Sequence, residues 1–98
     1  MARTFQPACY LVASRRNGTL YCGSTSDLVK RVWEHREADG ARFTATYGVH
    51  RLVWFEFFDE MGAAIQRERR IKAWRRAWKL ALIERDNPTW RDLYEDLG

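Results

Sequence analysis

The chain has 98 residues, 46% of them apolar, with five Trp, four Tyr and five Phe, which is enough large side chain for one core and too little length for two. That composition excludes a disordered chain; no apolar run nears the ~20 residues of a membrane span, and Ala8 to Ala13 is too short for a secretory signal, so we expect a cytoplasmic location. Seventeen Lys and Arg against thirteen Asp and Glu give a net charge of +4, which favours a polyanionic partner mildly.

In chain order, Ala8 to Ser14 reads as a strand, Asn17-Gly18 as a two-residue hairpin turn, and Thr19 to Gly23 as the strand that returns. Ser24, Thr25, Ser26 and Asp27 supply capping oxygens for a helix to about Arg36, with Leu28, Val29, Val32 and Trp33 on its apolar face. Asp39-Gly40 is turn-like, Phe43 to Tyr47 suits a short helix, and Arg51 to Phe58 is a third strand rich in aromatics. Asp59 can cap the next helix, which carries Met61, Ala64, Ile65 and Ile71 at helical spacing and reaches about Trp74. An amphipathic piece follows from Arg75 to Arg85 with Trp78, Ala81 and Leu82 facing in, and Asn87-Pro88 restarts the chain into a last short helix from Thr89 to Leu97. This order predicts an α+β fold, a three-stranded, mainly antiparallel sheet flanked by helices, as a single domain over residues 1–98. Cys9 and Cys22 sit in strand-like runs away from any zinc-finger spacing and read as two buried, reduced thiols.

Chemistry concentrates at three places. If Arg16 pairs with Thr19, Tyr21 lies opposite Ser14, and Tyr10, Val12, Ser14 and Tyr21 share one sheet face while Cys9, Leu11, Ala13, Leu20 and Cys22 share the other. The two phenols are then offset by on the order of 13 Å along the strand, and two aromatics packed beneath a loop would give the same pattern. On the first helix Arg31 and His35 are adjacent at i,i+4, able to line a phosphate-binding groove or simply to form a solvated helix edge. Glu68 occupies the apolar stripe of its helix, where a carboxylate needs a cation, supplied by an Arg in a structural ion pair or by a bound metal. The run from Arg67 to Lys79 is basic, as a nucleic-acid contact or a solvated helix face would be, and the tail from Glu84 is mostly acidic.

Tyr10, Tyr21-Cys22-Gly23, Asp27-Leu28-Val29-Lys30-Arg31 and His35, in this order and spacing, resemble the GIY-YIG nuclease superfamily. Arg51-Leu52-Val53, Arg67-Glu68, Ile71-Lys72, Asn87-Pro88-Thr89-Trp90 and Asp92-Leu93-Tyr94 resemble its small stand-alone URI-domain proteins, related to the N-terminal nuclease domain of the excinuclease ABC system. The resemblance spans nearly the whole chain. It implies a divalent-metal-dependent endonuclease, acting on DNA and connected with repair or recombination. Tyr10 and Tyr21 would be the motif tyrosines, Arg31 the phosphate-binding arginine, Glu68 the ligand of one Mg2+ or Mn2+, and His35 a further site residue. Tyr21 is then the expected general base, with Tyr10 positioning water or phosphate, and Arg31, Lys30, Arg69 and Lys72 are expected to contact nucleic acid. Ala8-Cys9-Tyr10 stands for Gly-Ile-Tyr, Tyr21-Cys22-Gly23 for Tyr-Ile-Gly, and Ser24 where the excinuclease pattern has a lysine. The alternatives are a noncatalytic nucleic-acid-binding module of the same fold and a protein-interaction domain using Trp74 and Trp78, whose helical spacing instead reads as core.

Overall fold

A computed structural model describes residues 5–37 and 48–97. The turn at Asp39-Gly40 and the short helix expected from Phe43 to Tyr47 lie outside the described residues. Strands β1 (Ala8–Ala13), β2 (Leu20–Thr25) and β3 (Arg51–Phe57) form one antiparallel sheet in the order β2-β1-β3, with helices α1 (Leu28–Glu37), α2 (Met61–Ala73) and α3 (Arg76–Asp86) around it. The predicted α+β architecture is the observed one.

The central strand β1 is buried along its whole length, so its alternating side chains feed two separate cores. Cys9, Leu11 and Ala13 join Cys22, Val53, Trp54, Ile71, Ile83 and Trp90 on the face covered by α2 and α3. Ala8, Tyr10 and Val12 join Leu28, Val32, Val49 and Leu52 on the face covered by α1, with Leu93, Tyr94 and Leu97 closing it. Both cysteines are free thiols in the first core. The register of β3 shifts between Leu11 and Val12, so the consecutive residues Val53 and Trp54 both enter the α2–α3 core. The Asn87 side-chain amide donates to the Val53 carbonyl (3.2 Å) and to the Arg91 carbonyl (2.8 Å), while its oxygen accepts from the Arg91 N–H (3.0 Å). Asn87 is therefore a buried fastener between the irregular stretch of β3 and the C-terminal segment.

Several local expectations need correction. The hairpin has no two-residue Asn-Gly turn: the Gly18 N–H donates to the Arg15 carbonyl, Asn17 is left-handed at φ 60°, and Tyr21 lies opposite Val12 instead of Ser14. The slip is by two residues, so the expected division of side chains between faces survives. On α1 the buried stripe is Leu28, Val32 and His35, and Trp33 is 51% exposed. Asp59 does not cap α2: Glu60 is its N-cap, and no side chain supplies a capping bond. On α3 the inward residues are Leu82 and Ile83; Ala81 is exposed and Trp78, 51% exposed, packs edge-on against Trp74 beneath the Arg75 guanidinium. The last helix is shorter than expected, a 3-10 turn at Leu93–Leu97, fixed by the Asp92 carboxylate, which accepts from the Leu52 and Tyr94 N–H groups and from Arg36.

Candidate active site

The register brings the two tyrosines together. Tyr10 lies opposite Gly23 and Tyr21 opposite Val12, a diagonal offset of two residues on one face, roughly 7–8 Å between backbones rather than the longer separation expected from the tighter turn. Gly23 makes the close approach possible, because a Cβ there would lie 2.5 Å from the Tyr10 hydroxyl oxygen.

Behind these strands Asp27 starts α1: its carboxylate accepts from the Lys30 N–H (3.2 Å), as a capping residue does. The helix then turns Arg31 and His35 toward the sheet. The Tyr10 oxygen is 2.8 Å from His35 Nε2, and the His35 ring lies 5.5 Å from the Tyr10 ring and 5.3 Å from that of Tyr21. Arg31 hydrogen-bonds both phenols and Glu34. An arginine only donates, so the Tyr10 oxygen accepts from Arg31 and its own proton goes to His35 Nε2, placing the imidazole proton on Nδ1. Burial pushes the Tyr10 phenol well above its ordinary value, more than Arg31 pulls it down. Tyr21 is half-buried at the rim.

His35 is 1% exposed, so the solvated-edge alternative does not describe it. Burial, with Arg31 nearby, lowers its pKa from 6.5 to about 4. The unfolded chain therefore takes up a proton in a range where the folded chain resists it. Stability from this group is complete above about pH 6.5 and is lost as pH falls toward 4, by about 3 kcal/mol in all. Urea titrations at pH 7, 5.5 and 4.5 should show this loss in wild type and a visibly flatter dependence in His35→Asn; equal slopes would mean that the imidazole is not held neutral.

Glu68 comes from the opposite layer. It projects from α2 past β2, the edge strand of the sheet, and its Oε1 accepts from the Ser24 hydroxyl while its Oε2 meets Lys72 Nζ at 2.6 Å. Partial burial alone would raise this carboxyl; Lys72 and Ser24 outweigh it and hold it below its ordinary value. The cation that its place in the apolar stripe requires is thus Lys72, one helical turn on. Lys72 Nζ also lies 5.7 Å from the centre of the Tyr21 ring, linking the carboxylate to the phenols around the sheet edge. Of the other basic residues, Lys30 joins Arg31, Phe5, Asp27 and Glu34 in lining a cleft of 350 Å³, and Arg69 is exposed beside Glu68.

The sequence pattern offers Ser24 as a capping oxygen and gives it no link to Glu68. Its alternation with Cys22 already places it on the α2 side of β2, a signal that could have paired the two. Among the described residues no three His, Cys, Asp or Glu side chains cluster as metal ligands. One hard carboxylate suits an ion of the Mg2+ type, which takes water and phosphate oxygens for its other positions, and does not suit zinc, which asks for three or four protein ligands.

Two tyrosines on one hairpin face, an arginine on the next helix and a glutamate on the helix after the third strand describe a nuclease kind of catalytic domain. The model of the GIY-YIG catalytic domain matches residues 6–81, and the chain belongs to that family. It is 42% identical over 66 residues to a UPF0213 protein of Haloquadratum walsbyi, covering 67% of this chain and 74% of that protein. A UPF0213 protein of Staphylococcus saprophyticus is 38% identical over 68 residues, 69% of this chain and 83% of its own. One from Halobacterium salinarum is 44% identical over 67 residues, 68% and 87% respectively. No solved structure matches. Among the described residues, no helix is long and apolar enough to cross a membrane.

Proposed function

We propose that residues 1–98 act as one divalent-metal-dependent endonuclease that hydrolyses phosphodiester bonds in DNA, with structure-selective or weakly sequence-specific cutting in repair or recombination. The observation that carries this reading is the meeting of Tyr10, Tyr21 and Arg31 with Glu68 at the rim of β2. Mg2+ or Mn2+ on Glu68 would supply Lewis-acid polarisation of the scissile phosphate. Arg31 neutralises a nonbridging phosphate oxygen through charge-assisted hydrogen bonds, and Lys30 and Arg69 hold flanking phosphates. Tyr21, ionised, takes the proton of the attacking water. A free phenol is only ~0.1% ionised at pH 7, so the cations around Tyr21 matter to its rate as well as to binding. Tyr10, its proton committed to His35, positions water or phosphate.

The test is cleavage of labelled single-stranded, duplex, flapped and branched DNA with Mg2+ or Mn2+. Wild type should cut only with metal, and Glu68→Ala and Arg31→Ala should each lose about 10²-fold or more. Wild type that binds and never cuts, with both variants binding equally well, would instead leave a nucleic-acid-binding module.

A further inference from the structure

Glu68 has its two oxygens committed to unlike partners. Ser24, anchored in β2, takes Oε1, and Lys72 takes Oε2 at 2.6 Å. The Lys72 side chain is 50% exposed and that of Glu68 18%, so the cation of this pair stands on the solvent side and can leave while the carboxylate stays in place. It also has somewhere to go, since the face of the Tyr21 ring is 5.7 Å from its nitrogen. Glu68 precedes Lys72 by four residues, the orientation in which a helical ion pair forms most readily.

We propose that Lys72 is a stand-in cation on Glu68, holding the carboxylate in its metal-binding posture and competing with the divalent ion for Oε2. This rests on Glu68 being the metal ligand. Its consequence is that the protein without DNA binds its metal more weakly than the carboxylate alone would allow. Lys72 thus sets metal affinity in addition to any contact with the substrate.

Calorimetric titration of Mn2+ into the DNA-free protein tests this. Lys72→Met should bind Mn2+ about three- to tenfold more tightly than wild type, because an opposing ion pair and a like charge have both been removed. Lys72→Arg, which keeps the charge, should stay near wild type. Equal or weaker binding by Lys72→Met, in a variant whose circular dichroism and melting show it folded, overturns the proposal. So does an equal gain in Lys72→Arg. If Lys72→Met is misfolded, Lys72→Gln takes its place, with the same two outcomes. Adding Glu68→Gln to Lys72→Met separates this inference from its foundation. Loss of tight binding in the double variant places the ion on Glu68, whereas persistence means that Glu68 is not the ligand, and the metal assignment under the proposed function falls with the inference.

Discussion

Tyr21→Phe should lower the cleavage rate by about 10²- to 10⁴-fold, the usual contribution of a positioned acid or base, while the protein melts close to the wild-type temperature. Both tyrosines carry a phenol on the same sheet face, but their surroundings divide the work between them. Tyr10 is 1% exposed and bonded to His35, and burial drives its pKa up, which is the wrong direction for a base. Tyr21 is half-buried at the rim, near Arg31 and the Lys72 ammonium, both of which favour a phenolate. Single-turnover cleavage across pH 6 to 10 is the measurement: the wild-type rate should rise with pH and the residual Tyr21→Phe rate should lack that rise. A Tyr21→Phe variant with the wild-type pH profile would show that another group takes the proton.

Gly23→Ala should damage fold and site together. Its new Cβ would sit 2.5 Å from the Tyr10 hydroxyl oxygen and 2.7 Å from Cζ, closer than a real Cβ approaches anything. Tyr10 cannot step aside cheaply, being enclosed in the α1 core and tied to His35. We expect a loss of about 1–3 kcal/mol, as for other overpacked core positions, and cleavage reduced at least ~10-fold by displacement of the phenol. Urea denaturation and a cleavage assay read the two effects separately. Gly62→Ala is the control: nothing lies within 4 Å of a Cβ there, and removing glycine freedom in α2 should stabilise the protein by about 0.4–1 kcal/mol. Wild-type stability in Gly23→Ala would show that the Tyr10 ring is not held as described.

The elements of the fold were legible because strand alternation and helical spacing are local signals. All three strands and both long helices after β3 lie within a residue or so of where the pattern puts them. What failed depended on contacts across the fold. Asn17-Gly18 carries the composition of a tight turn, yet Asn17 takes the left-handed position inside a longer loop, and Arg76 donates to the Asn17 and Gly18 carbonyls from the far end of the chain. Trp33 and Val29 looked more apolar than His35, but α1 rotates so that His35 meets Tyr10, because a buried phenol needs an acceptor. In the site, the shared face of the two phenols followed from parity alone and survived the wrong register. The partner of Glu68 did not follow from parity, because Ser24 and Lys72 approach it from different elements, whose docking no local pattern records.

Because β2 is the sheet's edge, the candidate site is assembled where two layers meet instead of within either one. The phosphate half belongs to the layer of α1, and the carboxylate half to the layer of α2. Each half is packed in its own core, so substitutions can accumulate in one without repacking the other. Descendants of such a scaffold can retune their grip on the substrate through α1 and their demand for an ion through α2, as two separately heritable traits.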